Sequence, residues 1–269
     1  MHIHHLNCAT MCPACKRLVN GHGSLFARGT LVCHCLLCDL GDRMVLIDTG
    51  LGLADIADPA RFGTDWLKRA APRLDPEEAA VSRIRALGVD PGRVTDIVLT
   101  HLDRDHCGGI ADFPDAQVHV SALERASALE GSPPAREGRY IAAQMTGPDR
   151  IIGHTPGAED WFGLPAVRPL PGADILLVAL YGHTWGHCGV AMRRHDGGWL
   201  LHAGDSHYHH RQRAGRRAPF GLAMFERRAA TDEPARRESL SAVRRIAGLS
   251  RAEVEVICSH DPADLERFS

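Results

Sequence analysis

Apolar residues in this chain follow two rhythms. Short runs rich in Val, Ile and Leu, bounded by Gly, Pro or Asp, read as buried strands. They fall at 2–6, 31–38, 44–47, 94–100, 118–120, 175–181, 188–193, 199–203 and 253–258. Helical spacing appears at Ala80, Val81, Ile84 and Leu87. Asp75 caps that helix, Pro76 suits its first turn, Glu77 and Glu78 suit its positive end, and Gly88 stops it. Further helices are expected over 122–129 and from about 232 to 247. The order is therefore a β-hairpin, a helix and a strand, followed by strands in quick succession and a late helix.

Three stretches escape both rhythms. Residues 54–76 are broken by Pro59, Pro72 and Pro76. Residues 131–172 are rich in Pro and Gly, with Trp161 and Phe162 as anchors. This reads as an insertion lying over one face of the domain, because a loop that long is usually functional or disordered. Residues 207–230 mix His209, His210 and several arginines with Phe220, Leu222, Met224 and Phe225. They fit a substrate-facing flap or a solvated basic loop equally well.

Composition narrows the class. The chain has 269 residues, 44% hydrophobic and 24% charged, enough for one layered domain spanning 1–269. A net charge of −2 offers no basic field for nucleic acid. The longest apolar run, 175–180, is too short to span a membrane. No long apolar stretch follows Met1, so no secretory signal is expected and a cytoplasmic location follows by default. The oligomeric state stays open between a monomer and a homodimer.

Nine cysteines, an odd number without a signal sequence, argue against a disulfide framework. Cys8, Cys12 and Cys15 are compatible with a zinc knuckle, a redox pair or plain thiols. On the strand 31–38, Cys33 and Cys35 share one face while His34 and Cys38 take the other. That geometry does not gather one tetrahedral site.

The 17 histidines carry more information through their positions. The sequence Thr100-His101-Leu102-Asp103-Arg104-Asp105-His106-Cys107-Gly108-Gly109 packs metal-ligating side chains behind a strand and before two glycines. Ligand-type residues recur at other strand ends: Asp48 in Asp48-Thr49-Gly50, His183 and His187 in Gly182–His187, Asp205 after Gly204, and His260. Open α/β sheets place ligands at such ends.

In this order the segments resemble the metallo-β-lactamase superfamily. The resemblance implies an αββα sandwich of two mixed sheets flanked by helices, an α/β (α+β) fold with the metal site at one edge. It assigns His101 and His183 to one divalent ion, and Asp105, His106 and His260 to a second. Asp205 bridges the two, His187 is a structural neighbour, and Asp48 supports the site. The implied ions are zinc. Imidazoles and carboxylates suit zinc and leave positions open, and a paired centre supplies a bridging hydroxide at neutral pH.

The chain departs from the family motif at Asp103, which stands where the second histidine belongs. Three outcomes follow: Asp103 ligates the first ion, the first site is weak, or the preference shifts toward iron or manganese. Tyr208, three residues after Asp205, sits where the N-acyl homoserine lactonase branch places a catalytic tyrosine. A packed tyrosine would look the same in sequence. Tyr208 and Asp105 are the candidate catalytic residues. The expected activity is opening of a lactone or a similar small ester on a small-molecule substrate. The alternatives are a glyoxalase II-like thioesterase, with arginines of 211–228 forming a cationic pocket, and a non-haem iron redox enzyme.

Overall fold

The computed structural model describes residues 1–268. Among the described residues thirteen strands form two sheets: β1 (His2–Met11), β2 (Leu31–Asp39), β3 (Met44–Ile47), β4 (Pro72–Arg73), β5 (Val94–Val98), β6 (Gln117–Ser121), β7 (Ile151–His154), β8 (Glu159–Trp161), β9 (Leu164–Val167), β10 (Ile175–Ala179), β11 (Cys188–Arg193), β12 (Trp199–His202) and β13 (Val254–Ile257). One sheet runs β4-β1-β2-β3-β5-β6-β7 and the other β13-β12-β11-β10-β9-β8. Both are mixed. Antiparallel hairpins open the first sheet, and β3, β5, β6 and β7 continue it in parallel. In the second sheet β12 and β13 are the parallel pair.

Strands buried on both faces explain the apolar runs. Leu36, Cys38, Val45, Ile47 and Val98 of the first sheet pack on Ile175, Leu177, Val190, Met192 and Leu200 of the second. The outward residues Leu37, Leu46 and Ile97 are covered by Ala80, Val81 and Ile84 of the helix Ala80–Ala86. On the other side, Leu176, Val178 and Leu201 meet Val243 and Ile246 of the helix Glu233–Ala247. The result is the expected αββα sandwich. Among the described residues, no helix is long and apolar enough to cross a membrane.

Several local expectations change. The first strand continues to Met11 and carries Cys8 inside it. The helix after Asp75 begins as a separate 3-10 turn, Pro76–Glu78, because Ala79 is extended at ψ 141°. The helix starting at Ala122 widens into a π-helical turn at Ala126–Glu130. The stretch 131–172 is not one irregular cover. Its second half builds β7 into one sheet and β8 and β9 into the other, leaving residues 131–150 over the site edge. The stretch 207–230 contains two helices, His210–Arg213 and Phe220–Ala229. All nine cysteines are free, and among the described residues no potential metal-holding group contains Cys8, Cys12 or Cys15.

One ion pair secures the last strand end. Arg213 forks onto both oxygens of the buried Asp264 at 2.6 and 2.5 Å, and Asp264 also accepts from the Cys258 amide at 3.1 Å. Burial pushes this carboxyl up, but the Arg213 guanidinium overcomes burial and holds it below the usual carboxylate range. Its folded value therefore lies below its unfolded value of about 3.9. The contribution is full above the unfolded value and fades as pH falls through the folded one. Asp264→Ala is expected to cost about 3 kcal/mol at neutral pH, measured by denaturant unfolding. The gap between variant and parent should shrink under acid conditions.

Candidate metal centre

The centre lies where loops leave the carboxyl ends of β3, β5, β12 and β13. Asp48 ends the β3 run in a left-handed conformation, φ 53°. That costs a non-glycine residue energy, and its carboxylate repays the strain by ordering the next loop. Oδ1 accepts from the Thr100 amide and Oδ2 from the Thr100 hydroxyl, both at 2.8 Å. Oδ2 also accepts from Nδ1 of His106 at 2.9 Å. With its proton given to Asp48, the Thr100 hydroxyl accepts from Nδ1 of His101 at 2.9 Å. Nδ1 of His260 donates to the Val32 carbonyl at 2.7 Å. Three imidazoles thus have Nδ1 committed and Nε2 turned inward, the arrangement that fixes metal-ligating histidines.

The inward atoms converge on Asp205. Its Oδ1 lies 3.4 Å from Nε2 of His106 and 3.2 Å from Nε2 of His260. Its Oδ2 lies 3.4 Å from Nε2 of His183 and 3.9 Å from Nε2 of His101. Two groups result, His101/His183/Asp205 and His106/Asp205/His260, each with its ligand atoms within 4.8 Å of one another. Asp105 sits 3.7 Å from Nε2 of His260. Cys33 lies within 4.8 Å of Asp105 and His260, a neighbour that the strand pattern alone did not place here. Asp205 itself is held by its backbone: its amide donates to Nε2 of His187 at 2.8 Å, and Nδ1 of His187 donates to the Leu180 carbonyl at 2.7 Å. Gly204 must be glycine, since its φ is +54° and a Cβ there would stand 2.4 Å from the His187 ring.

Asp103 joins the cluster. Its Oδ2 lies 3.0 Å from Nε2 of His183 and 3.5 Å from Nε2 of His101. Arg139 also takes both of its oxygens at 2.7 Å. Burial pushes the Asp103 carboxyl up, while Arg139 and the two imidazoles hold it well below the usual range. Access is from this side. Asp103 and Asp105 keep 17% and 14% of their side chains exposed, against 2% or less for His101, His106, His183 and His260.

Protonation fits metal binding unevenly. Burial lowers His183 to about 4, leaving it neutral. Burial opposes protonation of His106 and His260, but neighbouring carboxylates, Asp205 foremost, overcome it and raise both. Nε2 of His101, Nε2 of His106 and Oδ1 of Asp205 are buried with no hydrogen-bond partner among the described residues. Each such atom costs about 1–3 kcal/mol. A divalent cation among them removes that cost, so the donor set fits the ion its chemistry suggests.

Tyr208 faces the same atoms. Its hydroxyl donates to Oδ2 of Asp205 at 2.5 Å, and its ring stacks on His260 at 5.0 Å. Burial and Asp205 push the phenol well above its usual value, so it remains a donor. Its amide donates to Gln212 and Glu226, both at 3.1 Å.

Three positioning residues were not legible from spacing. Buried Glu124 accepts from the Leu102 and Gly186 amides at 3.0 and 3.2 Å and so ties the two histidine loops together. Glu226 holds the Tyr208 backbone, and Arg139 holds Asp103. Each lies far in sequence from the group it positions, and none belongs to a motif.

A model described as the metallo-beta-lactamase superfamily matches residues 28–245. The probable metallo-hydrolase Rv2300c of Mycobacterium tuberculosis is 36% identical over 266 residues, 97% of this chain and 80% of that protein. The N-acyl homoserine lactonase AttM of Agrobacterium fabrum is 47% identical over 79 residues, 29% of this chain and 30% of its own. Among solved structures, an N-acyl homoserine lactone hydrolase with N-hexanoyl-L-homoserine bound at its catalytic metal center shares the fold, with TM-score 0.74 at 17% identity over 98% of this chain and 95% of that one. A family match across most of the chain, a relative similar along its length and the same two-sheet sandwich agree: the chain belongs to the metallo-beta-lactamase superfamily.

Proposed function

We propose that the protein is a metal-dependent hydrolase that opens a lactone or cleaves a similar small ester. The observation that carries this reading is the hydrogen bond from Tyr208 to Asp205, because it sets a protonated phenol between two groups of inward-facing ligands. The partial match to a lactonase supports the substrate class.

In this reading Asp105, His106 and His260 would hold one divalent ion and His101 and His183 another with Asp103 beside them, Asp205 belonging to both sets. Zinc suits these donors, with iron or manganese admitted by the extra carboxylate. Such ions would make a water nucleophilic at neutral pH and polarise the ester carbonyl. The chain supplies the rest. Tyr208 turns its hydroxyl from Asp205 to the substrate oxygen and donates as negative charge develops there. Glu226 and Gln212 keep its backbone in place for that turn. Asp105, at the solvent-facing rim, accepts a proton from the attacking water and returns it to the departing alkoxide. His187 keeps Asp205 aimed inward.

One arginine of 211–228 is not free to form the cationic pocket of a thioesterase reading. Arg213 is spent on Asp264, and Arg139 is a cation that meets Asp103 directly. The deciding experiment is a panel of lactones, thioesters and aryl esters, run with metal quantification. Turnover confined to thioesters, or stoichiometric iron with an optical band, would sink the lactonase reading. Tyr208→Phe is expected to lower kcat on the best substrate by roughly 10–10³-fold with metal content unchanged. Unchanged kinetics would remove Tyr208 from the chemistry.

A further inference from the structure

Arg139 reaches the centre from the segment 131–150. Its Nε donates to Oδ1 of Asp103 and its Nη2 to Oδ2, each at 2.7 Å. Nη2 also stands 2.9 Å from Nε2 of His183. Nη1 donates to the Ala229 carbonyl at 2.7 Å and meets the Thr231 hydroxyl at 3.1 Å. The backbone around it is clamped as well. Arg104 donates to the carbonyls of Gly138 and Arg139, and Arg136 donates to the Arg228 carbonyl. Only 10% of the Arg139 side chain is exposed. This is a built position for a guanidinium.

Its contacts are the atoms that the first ion needs. A neutral imidazole presents one lone pair at Nε2, and His183 can give it to Nη2–H or to an ion. Both oxygens of Asp103 are already engaged by the same guanidinium. A fixed positive charge beside the position further opposes a divalent cation. The other position differs: among the described residues, Asp105, His106 and His260 form no hydrogen bond or ion pair with an arginine or lysine.

We propose that Arg139 competes with a metal ion for the position formed by His101, Asp103, His183 and Asp205, so that the position of Asp105, His106 and His260 fills first. The inference rests on the metal-centre reading above and deepens it. Because Arg139 hangs on residues 131–150 and on the carboxyl end of the helix Phe220–Ala229, filling of the first position is tied to the placement of both. The same helix carries Phe225, whose ring meets Tyr208 edge-on at 5.7 Å.

The test is calorimetric titration of the metal-stripped full chain with Zn²⁺ and with Co²⁺, alongside counting of bound metal. Two steps are expected, differing at least about tenfold in Kd. Arg139→Gln, which keeps an amide for Asp103 but drops the charge, should tighten the weaker step by roughly 10–100-fold, the range seen for groups that contact metal ligands. Arg139→Met provides a second variant, with circular dichroism confirming the fold of each. His260→Ala should abolish the tighter step and spare the weaker. Equal steps in the parent chain, a weaker step unchanged or loosened in both Arg139 variants, or loss of the weaker step in His260→Ala would overturn the proposal. A folded parent chain that binds neither ion would instead sink the metal-centre reading itself.

Discussion

Asp205→Ala will lower kcat/KM for hydrolysis by about 10³-fold or more, the scale of losing a group that organises charge at a reaction centre. The residue is the meeting point of the site. Its two oxygens lie 3.2–3.9 Å from the inward nitrogens of His260, His106, His183 and His101, and it accepts from Tyr208. Without it, the His101/His183 and His106/His260 pairs lose the carboxylate that lies between them, and the phenol loses the acceptor that orients it. Burial pushes the Asp205 carboxyl up, but His260, His106 and His183 overcome it and hold it well below its usual range, which favours its charged form. Steady-state kinetics and metal counting together check the prediction. Asp205→Asn separates charge from shape, since the amide keeps the volume but is neutral and offers one acceptor oxygen in place of two. Near-parental activity with full metal content in either variant would remove Asp205 from the centre.

Chelation is expected to abolish turnover and to lower thermal stability together. A ligand present at a hundred times its Kd stabilises the folded state by about 2.7 kcal/mol. For a chain of this size that corresponds to a fall in Tm of roughly 5–10 °C on metal removal. The molecular reason is the set of buried atoms without partners among the described residues, Nε2 of His101 and His106 and Oδ1 of Asp205, which a stripped centre would leave unsatisfied. The pH dependence has a definite sign. Neighbouring carboxylates raise His106 and His260 against the effect of burial, so protons compete with metal for these nitrogens. Apparent metal affinity should fall as pH is lowered, and excess zinc should restore activity in mild acid. Activity that survives exhaustive chelation, with no change in Tm, would contradict a metal-dependent mechanism.

The strands and the metal-ligand candidates were legible because both are written locally. A buried strand needs an apolar run between turn residues, as at Met44–Ile47 and Ile175–Ala179. Boundaries were less legible where backbone conformation follows packing. Ala79 breaks the helix after Asp75, and the first strand outruns its apolar start to pair with β2 and β4. The second half of 131–172 does not announce its strands because they are short and edge-lying. Glu159–Trp161 and Leu164–Val167 contain a proline, a glutamate and an aspartate, and they become strands only by pairing with each other and with Ile175–Ala179.

What the sequence alone determined is the set of ligand-type residues at strand ends and the order in which they occur, since a strand end followed by glycine or a turn exposes its next side chains on one edge. It also isolated Asp103 as the departure from the family pattern. The tertiary structure decided which atoms of those residues meet. Thr100 and Asp48 select the ring nitrogens, Glu124 ties two loops separated by about eighty residues, and Arg139 arrives at Asp103 from thirty-six residues away. Such contacts depend on how the sheets stack and where the segment 131–150 lies over their edge. A charged partner brought in by packing leaves no spacing in the chain, and so the surroundings of Asp103 became readable only in the folded protein.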